Sequence, residues 1–216
     1  MKRLLRPVIV ILGLAVLPVA ISAHFKLLEP ADSLNTGPLG DPQKFGPCGG
    51  EPSGDNEKFL THATTKATGG GKLHLKVQEM VYHSGHYRVA LAVNSQADLP
   101  ADPAAVEKWT TKGPFSVWAP IQSPPQVPVI VDGLFPHYPK PGEPASKRVD
   151  PNMPMFWETD IELPNINCPK CTLQVIQFMA DHPYNMPGGY SYHHCAAIQI
   201  TADPSKPIDT RWPASK

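Results

Sequence analysis

The chain has no surplus of charge: 19 lysines and arginines offset 19 aspartates and glutamates, and the basic residues form no run. Nucleic acid, or an anionic membrane surface, therefore finds no electrostatic footprint here. A second long apolar segment is missing too. The one such run, "PVIVILGLAVLPVA", stands behind Lys2, Arg3 and Arg6 and leads into "ISA", the three-part layout of a secretory signal peptide. A retained anchor is the alternative, but the run is short for a span and contains Gly13 and Pro18. No pair of carboxylates stands out as the acid and base of a glycoside hydrolase. Long helices are disfavoured by 27 prolines and 16 glycines, which mark frequent turns and long loops.

What is present starts with the export signal. Ile21 and Ala23 occupy the positions three and one before a cut, so residues 1–23 are expected to leave and the mature chain to begin "HFKLLEP" at His24. The product is expected outside the cell or in a periplasm, free of the membrane. Residues 24–216 are roughly 190 in number, enough for a single, monomeric domain with its own core. Cys48, Cys168, Cys171 and Cys195 are an even set in an exported chain, so two disulfides are the default, in any of three connectivities. "CPKC" also fits a redox or zinc motif, but it has no companion pair and the oxidising compartment favours bridges.

Period-two alternation recurs along the chain. "KLHLKVQ" sets Leu73, Leu75 and Val77 against His74, Lys76 and Gln78, and "RVALAVN" repeats the pattern with Val89, Leu91 and Val93; both read as half-buried strands. "CTLQVIQFM" and "AAIQITA" form a later strand pair around the turn-rich "DHPYNMPGGY". Short strands between turn signals predict an all-β fold, an antiparallel β-sandwich of the immunoglobulin-like or fibronectin-like kind with long loops. Residues near 113–154 differ: they are proline-rich, yet "VPVIVDGLF" is too apolar for a free linker, which predicts a large excursion folded onto the sandwich.

Of nine histidines, His62, His74 and His137 read as structural or solvated. His24 is different, because a terminal histidine offers both its α-amine and its ring Nδ1 to one metal ion. One further imidazole makes a T-shaped set of three nitrogens, which suits copper better than zinc or iron. His83 and His86, in "YHSGHYRV" at the mouth of a strand, are the candidates for that imidazole.

These residues resemble a known family. A His24 terminus, "GPCGG", "HSGHYRV", "CPKCTLQVIQF" and "YSYHHCAAIQI", in that order, are similar to lytic polysaccharide monooxygenases from His24 to about Thr201, the excursion apart. The resemblance implies copper held by His24 and His83, with Tyr192 as the axial neighbour, although Tyr192 also fits a core position of the last strand. His83 is preferred over His86, whose ring stands three residues further along. His193 and His194 depart from the family pattern, and Gln174, Gln177 or His182 are candidates for a polar group near bound oxygen. The implied activity is oxidative cleavage of a polysaccharide such as chitin or cellulose, with an external electron donor and O2 or H2O2 as co-substrate. Trp109, Trp118, Tyr138 and Trp157 are candidates for stacking on sugar rings, with packing as the alternative. Cys48 is expected to pair with Cys195, and Cys168 with Cys171. Two other classes remain open: a secreted copper-binding or copper-delivery protein, and a non-catalytic carbohydrate-binding protein.

Overall fold

The computed structural model describes residues 24–215 except Pro52, Asp55, Pro151 and Pro154, and leaves the side chain of Arg148 undescribed. The expected signal peptide, residues 1–23, lies outside the described residues. Among the described residues, eleven strands and two short 3-10 turns, Glu57–Phe59 and Gln96–Asp98, make up the regular structure. The strands are β1 His24–Glu29, β2 Thr65–Thr68, β3 Lys72–His83, β4 Gly85–Ala92, β5 Val106–Thr110, β6 Gly113–Trp118, β7 Val129–Leu134, β8 Ser146–Arg148, β9 Met155–Glu162, β10 Cys168–Met179 and β11 Ser191–Thr201. The expected all-β sandwich is what forms.

One sheet has β3 at its centre, paired with β1 along one edge and with β9 and β8 along the other; the second runs β2-β11-β10-β4-β7. All pairs are antiparallel except β2 with β11, which is parallel. Leu73, Leu75 and Val77 of β3 are buried as their alternation predicts, and meet Val89 and Leu91 of β4, Leu173 and Val175 of β10, and Ile198 of β11 in one cluster. Each such side chain removed from water contributes about 1.5–3 kcal/mol before the entropy of ordering the chain is subtracted.

Two expectations need correction. β4 is buried along its whole length, not on one face. It lies between β10 and β7, and loop residues such as Pro100, which accepts a hydrogen bond from Arg88, cover its outer side. The proline-rich excursion is also more than a cover. It supplies β7 as the edge strand of one sheet and β8 to the other, while β5 and β6 form a separate hairpin.

The disulfides are Cys48–Cys195 and Cys168–Cys171, as expected. The first closes 147 residues and the second only 3. On the chain-entropy model these loops are worth about 5 and about 1.5 kcal/mol respectively.

Candidate metal centre

The chain changes sheets at one point near the site. Ser84 alone separates β3 from β4, and Gly85, at φ 150°, approaches Phe178 so closely that a Cβ there would lie 1.8 Å from its carbonyl oxygen. Glycine is required by both the conformation and the space. The crossover sends the two histidines of "HSGH" to different places. His83 continues the inward register of β3, whereas His86 faces the outer side of the second sheet, near the Phe178 ring, with Nδ1 2.8 Å from the Tyr138 hydroxyl and Nε2 3.5 Å from Asp132.

His83 is 3 % exposed, and neither of its ring nitrogens has a hydrogen-bond partner among the described residues. Burial, joined by the neighbouring rings of His182, His137 and His24, pushes its pKa down to about 3. The ring is therefore a neutral imidazole with a lone pair to give. His182 stands edge-on to it, with ring centroids 4.7 Å apart. Its Nδ1 donates to the Pro183 carbonyl at 2.6 Å, which leaves the lone pair on Nε2, a buried atom without a hydrogen-bond partner among the described residues. Burial lowers this ring to about 4.

β1 brings His24 alongside by pairing it with Val81 of β3. The His24 ring meets the Asp41 carboxylate through Nε2 at 2.9 Å, and this hydrogen bond, opposed by partial burial, holds the Asp41 pKa below its usual value. In the neutral form of the ring, donation through Nε2 leaves the lone pair on Nδ1. Tyr192, fully buried, has its ring 5.7 Å from that of His24. The sequence-predicted residues His24, His83 and Tyr192 thus gather at one end of the sandwich, joined by His182, while His86 does not.

Beneath them lies a polar layer. Glu79 occupies an inward position of β3 between Val77 and Val81 and is fully buried. One carboxylate oxygen accepts from the Tyr87 hydroxyl at 2.9 Å and from Gln177 Nε2 at 2.8 Å, and lies 3.0 Å from His137 Nε2. His137 Nε2 also reaches the His83 carbonyl at 2.6 Å, and its Nδ1 donates to the Phe135 carbonyl. Burial works against charge on this ring, but the Glu79 hydrogen bond and field outweigh it and raise its pKa. Burial and Glu79 together drive the Tyr87 pKa well up. His137 is thus structural, as expected, but it holds the backbone of His83.

The remaining candidates separate cleanly. Gln177 belongs to the polar layer, whereas Gln174 turns outward and donates to the Pro47 carbonyl at 2.8 Å. His74 is exposed and pairs with Asp160. Trp157 stacks on His137 with centroids 5.0 Å apart and on Phe135 at 5.8 Å, so it serves packing rather than a sugar platform. Tyr138 is tied to His86. Trp109 and Trp118, 79 % and 47 % exposed, are carried by the β5–β6 hairpin. That hairpin grips the His182 segment: Ser116 N–H donates to the His182 carbonyl, the Ser116 hydroxyl accepts from His182 N–H, and Lys108 pairs with Asp181.

Sequence reasoning missed Glu79 and Asp41. For Glu79 a signal existed, since Leu73, Leu75, Val77, Glu79, Val81 and His83 share one register, and a carboxylate among apolar partners on a buried face marks either an error of register or a site.

Among the described residues no three or more histidine, cysteine, aspartate or glutamate side chains converge as a ready-made metal cluster. The fold and these side chains define a disulfide-bridged β-sandwich with the neutral rings of His83 and His182 buried at one end. Comparison of the chain with models of protein families gives no match, and neither does comparison with curated proteins or with solved structures.

Proposed function

We propose that the processed chain is a secreted copper-dependent oxidoreductase that cleaves a polysaccharide oxidatively. The observation that carries the reading is the buried, neutral His83 ring with two nitrogens unmatched by hydrogen bonds among the described residues, set beside His24 and His182. Leaving such atoms unmatched costs about 1–3 kcal/mol each, and a bound metal ion would relieve that cost at the one nitrogen that carries the lone pair. Nitrogen donors without thiolate or carboxylate in the set suit copper. After cleavage at Ala23-His24 the α-amine of His24, its ring Nδ1 and a nitrogen of the His83 ring would hold the ion, three nitrogens from two residues. Bound copper supplies one-electron redox chemistry with dioxygen or peroxide.

The chain's own residues do the rest. Asp41 fixes the His24 tautomer, the Glu79–His137 pair fixes the His83 backbone, and the buried Tyr192 closes the side next to His24. Trp109 and Trp118 on the hairpin that holds the His182 segment offer apolar faces to sugar rings. The near-complete burial of His83 and His182, 3 % and 2 % exposed, favours a second reading, a copper-binding or copper-delivery protein without turnover. The test is direct: copper-loaded processed protein, ascorbate and a panel of chitin, cellulose and xylan, with mass spectrometry of soluble products. Oxidised oligosaccharides are expected from one substrate; tight copper binding with no oxidised product from any of them selects the second reading.

A further inference from the structure

His193 and His194 both lie buried behind β1, at 0 % and 1 % exposure. The His194 Nε2 stands 3.0 Å from the Phe25 carbonyl, which only accepts, so this nitrogen donates. Its Nδ1 contacts the Asp32 carboxylate at 2.6 Å, and its ring meets the Phe25 ring edge-on at 4.5 Å. The other polar group of Phe25 is held as well. Its N–H, which belongs to the peptide bond joining it to His24, donates to Gln43 Oε1 at 3.2 Å. Gln43 is fully buried, and its own carbonyl accepts from the His193 backbone N–H at 2.9 Å. The His193 ring then spans from that carbonyl, 3.3 Å from Nδ1, to Asp102, 2.8 Å from Nε2. Beside them Gly40, at φ 100°, approaches the Phe25 carbonyl so closely that a Cβ would lie 2.0 Å from its oxygen.

On the reading that copper binds the His24 amine, we propose that His194 and Gln43 are positioning residues, which clamp the two polar groups of Phe25 and thereby set where the His24 amine points. The chelate geometry demands this. The His24 ring is already anchored through Nε2 by Asp41, so holding the peptide that follows as well leaves the α-carbon, and the amine on it, a single orientation. One bond from the His24 α-carbon, Gln43 fixes that peptide; one residue further, His194 and Asp32 fix the next. His193 acts at one remove, by holding the backbone of Gln43. The paired histidines thus serve the first strand and do not themselves reach the His83 and His182 rings.

The test uses the processed chain beginning at His24 and a chain with one additional residue before it. Gln43→Met keeps the shape and removes the acceptor, His194→Ala removes the donor, and His194→Gln restores an N–H near the place of Nε2. In the processed chain, Gln43→Met and His194→Ala are each expected to lower copper(II) affinity about tenfold, the scale of groups that orient metal ligands, and to change the copper hyperfine splitting in electron paramagnetic resonance. His194→Gln is expected to recover most of both. In the extended chain, whose amine is an amide, the same substitutions are expected to leave residual copper binding unchanged. Variants that lose thermal stability but keep the parent's affinity and spectrum overturn the positioning role while leaving the copper site intact. Equal copper affinity of the processed and extended parents removes the copper reading, and the clamp's role with it.

Discussion

The two ends of β3 line the same interior in different ways. From Leu73 to Val77 its inward residues meet Leu91, Leu173 and Ile198 in a dry layer where each side chain is interchangeable in kind. From Glu79 to His83 the same strand faces Tyr87, Gln177, His137 and His182. Here polar groups are buried, some matched through Glu79 and some without a hydrogen bond among the described residues, including both nitrogens of His83. A core shaped only by stability would carry the dry pattern through. The polar end leaves buried nitrogens without hydrogen bonds among the described residues, and on the copper reading proposed above that is the cost of holding neutral imidazoles ready for a metal ion.

The largest effect that separates the two ends is expected at Glu79. Glu79→Ala strands Tyr87, Gln177 and the His137 ring and is predicted to cost about 3–5 kcal/mol, as when one partner of a buried pair is removed, measured by urea unfolding of the metal-free protein. Leu75→Ala in the dry layer should cost about 2–5 kcal/mol by a cavity. What distinguishes them is repair: Glu79→Leu combined with Tyr87→Phe, His137→Leu and Gln177→Leu should regain most of the loss, because an apolar set of similar volume replaces a buried polar one at little cost. No regain would show that the polar layer stabilises in its own right.

How much of this was legible in the sequence follows the same division. The dry ends of β3, β10 and β11 showed in their alternation, because period-two burial is a local property. β4 was misread because Val89, Leu91 and Val93 alternate with Ala90 and Ala92, small apolar residues that suit a strand covered on both sides. β7 and β8 were hidden in proline-rich sequence, and they become strands only through partners distant in the chain, such as the pairing of Tyr87 with Leu134 and of His83 with Ser146. His24 and His83 could be named from motif order, but Asp41 and His137 reach the site from loops, and no local pattern announces such contacts.

The second prediction concerns acid. His83 and His182 have folded pKa values lowered from 6.5 to about 3 and about 4 by burial. Below pH 6.5 the unfolded chain binds protons that the folded rings refuse, so the metal-free protein loses stability as pH falls from 6.5 towards those values. The loss is about 2 kcal/mol per ring by pH 5. The sign is opposite for His137, whose raised pKa adds stability below pH 6.5 that disappears as pH rises through the folded value. Equilibrium unfolding between pH 7 and 5 reads the balance, and stability that rises on acidification would contradict neutral rings at the site.

A smaller effect sharpens the comparison further. His83→Leu removes two unmatched buried nitrogens at similar volume and is expected to stabilise the metal-free protein by about 1–2 kcal/mol, while flattening its acid loss and weakening copper binding. His86→Leu should destabilise instead, because it removes the hydrogen bond to the Tyr138 hydroxyl and the ring facing the buried carboxylate of Asp132, a loss set against only one unmatched nitrogen, Nε2, and it should leave copper in place. Thermal melts with and without copper distinguish the two, and a stabilising His86→Leu with a destabilising His83→Leu would reverse the assignment.

The central claim is that the polar end takes its third nitrogen from a new amino terminus at His24. Copper(II) titration of the processed chain, beside a chain carrying one extra residue before His24, tests it most directly, since the extra residue turns the amine into an amide and leaves every side chain in place. The account predicts that affinity falls by orders of magnitude in the extended chain. Equal affinities would contradict it.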